Sequence, residues 1–203
     1  MYTLTDSFYV GSPTRINEMK PLTTMGSDDE LIQACRAGDT EAFRWLYRRH
    51  QGRVRATLYQ LCADAALDDL VQEVFLRAWK GLPRFRQSAQ FSTWLYRIVW
   101  NVASDCRRQQ ARMRAQRQQL PQLVSTAHDP ASLTHLHYQD LVQRGLQHLS
   151  PEHRDVLVLH DLEQLPQAQV AQILGIPVGT VKSRLHHGRA QLRQFLQREG
   201  ISL

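Results

Sequence analysis

The 203-residue sequence has little cysteine: Cys35, Cys62 and Cys106 are three in number, far apart, and form no C-x-x-C pair. Such a set builds no disulfide framework and fits a reducing compartment, so a cytoplasmic protein is expected. No apolar run reaches the roughly 18 residues that a membrane span requires. The N-terminus also lacks the basic-then-apolar order of a secretion signal, so no membrane insertion is expected. Glycine is sparse, at ten residues, and no apolar–polar alternation stands out, which favours helices over strands. Enzyme signatures are missing as well. There is no glycine-rich phosphate loop, no nucleophile elbow, no H-E-x-x-H and no paired Cys/His motif. The nine histidines include His135 and His137, two apart, and His153 and His160, seven apart. They read as surface or linker residues, so no catalytic residue, metal or cofactor is expected.

Apolar residues make up 42% of the chain and charged residues 22%, enough to bury a core and too few charges for a disordered tail. The formal net charge is +6, and its distribution matters more than its sum. Residues Asp28 to Cys106 carry 11 basic and 10 acidic side chains. Arg107 to Arg117 carries five arginines and no acid, and Lys182 to Arg198 five basic residues and no acid. Two positive zones on a near-neutral body suit a polyanion, because each neutralised phosphate releases counterions. Solvated helix faces are the plainer alternative.

The apolar spacing predicts an all-α chain of two small helical domains joined by a flexible linker. Residues 1–27 look like an irregular tail, with Met19 and Met25 as alternative starts to Met1. A first domain is expected over 28–112, a linker over 113–136 and a second domain over 137–199. The first helix begins at the acidic run Asp28-Asp29-Glu30 and stops at Gly38-Asp39. A second helix carries Phe43, Leu46, Val54, Leu58 and Leu61. The third runs from about Leu67 to Lys80, and the fourth begins near Ser92 and enters the arginine-rich stretch. Beyond the linker, Ser150-Pro151 supplies an N-cap serine with proline at the first helical position. That helix should end near Leu162, followed by helices over Gln167–Leu174 and about Gly179–Arg198.

The last two helices form a helix-turn-helix pattern. Ala171 is small where the helices would cross, Gly175 sits in the turn, and Val181 anchors the second helix. Gly175 is expected at positive φ, which a residue with a Cβ resists. At 100° per residue, Val181, Leu185, Gly188, Leu192 and Leu196 share one face of the final helix. Lys182, Ser183, His186, Arg189 and Arg193 fall largely opposite, available to a major groove. Thr180 lies at the helix start near phosphates, with Arg184 and His187 on the flanks. For Arg189 and Arg193, simple solvent exposure stays open.

In the first domain, Leu67, Val71, Val74 and Ala78 follow core spacing. Asp69, Gln72, Glu73 and Leu76 form a second stripe, either a solvated face or a protein-binding one. In the fourth helix, Leu95, Ile98, Val99, Val102 and Cys106 share an apolar face. Trp94, Arg97, Asn101, Ser104 and Arg108 share another. An aromatic, an amide and guanidiniums in one line offer what single-stranded nucleic acid needs: stacking, base-edge bonds and phosphate contacts. Trp94 alone would equally suit a core. The preceding loop adds Arg86 and Ser88 beside Phe91.

Taken together, these residues resemble the sigma-70 superfamily, in its compact extracytoplasmic-function, or group four, branch. The resemblance spans about Asp28 to Gln197. It rests on Asp68 to Trp79, on Phe91-Ser-Thr-Trp-Leu-Tyr-Arg-Ile with Asn101, on Leu149-Ser-Pro-Glu-His-Arg, and on Ile176-Pro-Val-Gly-Thr-Val-Lys-Ser-Arg-Leu. It implies a non-enzymatic transcription initiation factor, its first domain sigma region 2 and its second sigma region 4. The implied partners are core RNA polymerase, through its beta-prime clamp helices and beta flap, promoter DNA, and an anti-sigma protein. Polymerase docking would fall to Asp68, Asp69, Leu70, Gln72, Glu73 and Leu76. The minus-ten element would fall to Arg86, Ser88, Phe91, Trp94, Arg97, Asn101 and Arg108. The minus-thirty-five element would fall to Thr180, Lys182, Ser183, Arg184, His186, His187 and Arg189. One departure is His187-Gly188, where relatives commonly carry a basic residue and alanine. A helix-turn-helix regulator acting without polymerase would account for the second domain but not for the two stripes of the first.

Overall fold

The computed structural model describes residues 26–62, 66–85, 90–117 and 135–201, and every regular element among them is helical. Helix α1 (Asp28–Arg36) opens with a reciprocal cap one residue before the acidic run. The Glu30 amide donates to Ser27 Oγ at 3.3 Å, and the Ser27 amide donates to the Glu30 carboxylate at 2.7 Å. Asp39 caps α2 (Thr40–Leu61), accepting from the amides of Glu41 at 2.8 Å and Ala42 at 3.2 Å. Arg49 and His50 of α2 hold Asp28 at 2.6 and 2.9 Å. Burial works to raise the Asp28 carboxyl, but its bonds to His50 and Arg49 outweigh that and hold it below the usual carboxylate value.

Helix α3 (Leu67–Gly81) ends in a tight turn over Leu82–Arg84, where Pro83 cannot continue the ladder. Arg36 ties that turn to α1, donating to the Phe85 carbonyl at 2.7 Å. Helix α4 (Phe91–Arg117) then crosses the bundle. Ile32, Leu46, Leu58, Leu61, Val74, Leu82 and Val99 are fully enclosed. Each such side chain contributes about 1.5–3 kcal/mol relative to exposure, so this shared core fixes the pitch of α3 and α4 and hence which faces they show.

The second body contains α5 (His135–His148), α6 (Pro151–Leu157), a wide turn over Val158–Leu162, α7 (Gln167–Leu174) and α8 (Val178–Arg198). Ser150 differs from the expected N-cap: its side chain makes no capping bond, and its carbonyl accepts from the amides of His153 and Arg154 at 3.1 and 3.0 Å. Arg154 explains much of the Ser-Pro-Glu-His-Arg marker. Its guanidinium covers the end of α5, donating to the carbonyls of Leu146, Gln147 and Leu149 at 2.8, 2.9 and 3.2 Å. The helix-turn-helix forms as its spacing requires, with Gly175 at φ 67°, ψ 34° and Val181 fully buried. Gly188, unusual inside a helix, has a packing reason: a Cβ there would stand 3.1 Å from Leu157 Cδ1 of α6.

Fold class thus matches the sequence reading: all-α, in two helical domains. Most of the stretch expected as linker lies outside the described residues, as does the tail up to Met25; α4 continues through Arg117 and α5 begins at His135. The two domains also touch. The wide turn and α7 lie against α2 and α4, and a polar seam runs along the contact. Glu163 accepts from the hydroxyls of Thr57 at 2.7 Å and Tyr96 at 2.5 Å. Asp155 accepts from Trp100 Nε1 at 2.7 Å and from Arg107 at 2.7 and 3.1 Å. Gln143 donates to the Tyr59 carbonyl at 2.8 Å. Burial, then the bond to Glu163, pushes the Tyr96 phenol well above its usual value, so it stays a donor.

Candidate polymerase and nucleic-acid interfaces

Helix α3 separates its two stripes cleanly. Val71, Val74, Phe75 and Ala78 are buried, while Asp68, Asp69 and Gln72 are exposed and Leu70 and Glu73 half-buried. Leu76 is 49% exposed, a large apolar side chain among carboxylates that solvent alone does not explain. Trp79, three residues on, is 39% exposed and meets Phe43 edge-on at 4.8 Å. The sequence reading left Trp79 out of the stripe; its spacing after Gln72 and Leu76 was the available signal. Asp68 pairs with Arg55, and Glu73 with Arg77 at 2.7 Å. An exposed patch of acid, amide, leucine and tryptophan suits a basic and partly apolar protein surface.

Arg77 links this face to the next by reaching Asp105 of α4 at 3.0 Å. Asp105 also pairs with Arg108, and bonds from Arg108 and then Arg77 hold its carboxyl below the usual range. Arg108 therefore stands exposed beside a carboxylate, so a phosphate would compete for it. Arg97 and Asn101 are exposed and make no hydrogen bond or ion pair among the described residues. Ser104 accepts from Arg107 at 3.3 Å.

Trp94 packs only partly into the core. It is half-buried, packing on Phe85 and Phe91 at centroid separations of 5.0 and 5.7 Å, and its position shares a helix line with Arg97 and Asn101. Phe91 departs from the expected DNA contact. It is 4% exposed, enclosed by His50, Phe85 and Trp94, because as the first residue of α4 its ring turns inward to close the core. Its side chain props Trp94 and does not face solvent. Arg86 and Ser88 lie outside the described residues.

On α8, Val181, Leu185 and Gly188 are buried and Leu192 is half-buried, leaving Lys182, Ser183, His186, His187 and Arg189 exposed. No side chain caps the helix start at Pro177, so its first amides remain available to an anion, with Thr180 half-buried beside them. Arg184 is held by Glu152 at 2.7 Å, and Arg189 by Asp161 at 2.5 Å. Lys182, His186, Arg189 and Arg193 line an open groove with Gln167 of α7. Gln167 was absent from the sequence-based set; its place as the first residue of α7 was the clue. The groove carries positive charge along one side of a helix whose other side is buried, which is the form a major groove accepts.

Comparison with known proteins agrees with this geometry. The family model for Sigma-70 region 2 matches residues 46–113, and that for Sigma-70, region 4 matches residues 139–192. The ECF RNA polymerase sigma factor SigM of Mycobacterium tuberculosis is 37% identical over 174 residues, covering 84% of this chain and 85% of that protein. The ECF RNA polymerase sigma factor SigW of Bacillus subtilis is 29% identical, covering 82% of this chain and 95% of its own. Among solved structures, CnrH in complex with the cytosolic domain of CnrY superposes with a TM-score of 0.64 at 26% identity, covering 84% of this chain and 97% of that one. The sigma factor RpoE from Bartonella quintana, in complex with the anti-sigma factor NepR, gives 0.66 at 26%, covering 78% and 98%. The matches to both family models and to relatives along most of the chain, on a fold of two helical domains, lead to one conclusion: the chain belongs to the sigma-70 family, as an ECF sigma factor, a non-enzymatic factor for promoter-specific transcription initiation.

Proposed function

We propose that the chain divides its work among three surfaces. The α3 stripe of Asp68, Asp69, Leu70, Gln72, Glu73 and Leu76, extended by Trp79, docks the beta-prime clamp helices of core RNA polymerase. The α4 face of Trp94, Arg97, Asn101 and Arg108 grips the opened minus-ten strand, with Arg86 and Ser88 completing that site. Phe91 positions Trp94. Lys182, Ser183, His186, His187 and Arg189, with Thr180 and Arg184, read the minus-thirty-five element as duplex, while the second domain meets the beta flap. Residues 28–112 form the polymerase and minus-ten domain, 113–136 the connection and 137–199 the minus-thirty-five domain. Action in the cytoplasm follows from that role, and no helix among the described residues is long and apolar enough to cross a membrane. An anti-sigma partner is supported by the two solved relatives captured with CnrY and NepR.

One observation carries the minus-ten assignment. Arg97 and Asn101 stand exposed without partners among the described residues, one helical turn apart and in line with Trp94. Unpaired guanidinium and amide groups beside an aromatic edge are what stacked, unpaired bases engage. Run-off transcription tests the whole reading: added to core polymerase, the purified chain should produce a transcript from a single start on a cognate promoter. A chain that binds promoter duplex tightly but gives core no start there would favour a polymerase-independent regulator.

A further inference from the structure

Two of the three cysteines, scattered along the sequence, meet in the fold. Cys62 is the residue that ends α2, and Cys106 lies on the apolar side of α4, packed against the same core. The Cys62 thiol donates to the Ala103 carbonyl at 3.6 Å. Ala103 and Cys106 are i and i+3 neighbours on one helix, so the bond that seats Cys62 on α4 also brings it to Cys106. The two sulfurs lie within hydrogen-bond reach of each other. Cys35 belongs to α1 and is buried there.

The two members of the pair differ in a way that sets an order. Cys62 is 2% exposed, and burial, then the neighbouring Cys106, pushes its thiol up to about 12, so it keeps its proton at neutral pH. Cys106 is half-buried and therefore open to a small oxidant. A partly exposed thiol is where oxidation by a peroxide begins, and a second thiol within reach is where it is resolved.

We propose that Cys62 and Cys106 form a reversible oxidation site for hydrogen peroxide, Cys106 taking the first oxygen and Cys62 closing the disulfide. In the first step the Cys106 sulfur attacks one peroxide oxygen and the O–O bond breaks. The other oxygen leaves as water with the thiol proton, and Cys106 becomes a sulfenic acid. In the second step the Cys62 sulfur attacks that sulfur and the S–O bond breaks. Hydroxide leaves as water with the Cys62 proton, so two thiols are oxidised by two electrons while one peroxide is reduced to two waters. A dithiol reductant then restores both thiols by exchange. Transient bridges of this kind are the ones a reducing compartment permits. The pair also protects the packing of α4. Without Cys62, Cys106 would advance to a sulfinate, an anion set against the core beside the buried Val102 and Ala103. A disulfide adds no charge there, and the helix that carries Trp94, Arg97 and Asn101 stays seated.

The test uses the full chain, reduced and then treated with hydrogen peroxide at neutral pH. Remaining thiols are alkylated before intact-mass and peptide analysis. The wild type should lose two hydrogens, yield a linked peptide pair holding Cys62 and Cys106, and return to three alkylatable thiols under dithiothreitol. Cys35, whose thiol burial and then Asp39 push up to about 11, should stay reduced throughout. Cys62→Ser should instead gain two oxygens at Cys106 that dithiothreitol does not remove, in roughly tenfold greater yield than in the wild type. Cys106→Ser should leave Cys62 unoxidised over the same exposure, which fixes the order. Circular dichroism of each variant checks the fold, and the wild-type linkage decides the outcome should either serine variant fail to fold. Sulfinic acid accumulating at Cys106 in the wild type, chains joined to one another through Cys106, or bridges that include Cys35 as often as Cys62 would overturn the proposal. So would Cys62 oxidising equally fast in Cys106→Ser.

Discussion

Replacing Arg154 with methionine, which keeps most of the volume, should unfold the second domain well before the first. Arg154 makes three bonds to the terminal carbonyls of α5, at 2.8, 2.9 and 3.2 Å. A hydrogen bond to a charged donor contributes about 1.5–3 kcal/mol net, but three on one guanidinium share a single desolvation cost and do not add. The bond to Gln147 is exposed, so water replaces it at little loss, whereas that to Leu146 is partly buried. Burial and the nearby Arg107 act against the charge, lowering the guanidinium pKa and offsetting part of the gain. The net expectation is a loss of about 2 kcal/mol. For a domain of this size about 1 kcal/mol moves the midpoint by roughly 4–8 °C, so Tm should fall by about 10 °C. Thermal unfolding followed by circular dichroism reads this directly, and α8, which packs on α6, should lose minus-thirty-five duplex binding at the lower temperature. Arg154→Lys should recover only part of the loss, because a point charge cannot span three carbonyls. A fall of less than about 3 °C for Arg154→Met would refute the assignment of α5 capping to this side chain.

Further expectations follow from the same geometry. Lys182→Glu should weaken minus-thirty-five duplex binding at least tenfold and flatten its salt dependence, while pull-down of core polymerase is unchanged; Asp69→Arg should do the reverse. Gly175→Ala forces a Cβ into φ 67° and should cost about 1–2 kcal/mol in urea unfolding; an unchanged midpoint would contradict the left-handed turn. Asp28 is held below its usual value, so its contribution to stability is present above the unfolded pKa of about 3.9 and is lost as pH falls through the lower folded value. The gap in urea midpoint between wild type and Asp28→Asn should therefore be full at pH 6 and close on acidification below pH 4. A gap that persists at pH 2 would count against the Arg49 and His50 contacts.

Local pattern made much of this structure legible. The 3.6-residue spacing of Val71, Val74 and Ala78 and of Val181, Leu185 and Gly188 identified faces that are indeed buried. Gly175 announced its turn because few other residues tolerate that backbone. What escaped were choices made by distant partners. Ser150 looked like a side-chain cap, yet its carbonyl does the work beside Pro151. Phe91 sat beside polar loop residues in sequence, but Phe85 and His50 enclose it in space. The seam joins Trp100 to Asp155 and Tyr96 to Glu163 across 55 and 67 positions, and no periodicity encodes such a pair. Trp79 lay within a legible helix, in step with Gln72 and Leu76, but a tryptophan at that spacing suits a core as well as a surface, and only its 39% exposure separates the two.

The most direct measurement compares opened-strand and duplex binding in the same holoenzyme. Asn101→Ala should weaken binding of a single-stranded minus-ten oligonucleotide about tenfold or more, and reduce permanganate reactivity of unpaired thymines there, while affinity for a minus-thirty-five duplex stays within about twofold. Equal losses on both nucleic acids, or none on the single strand, would contradict the division between α4 and α8.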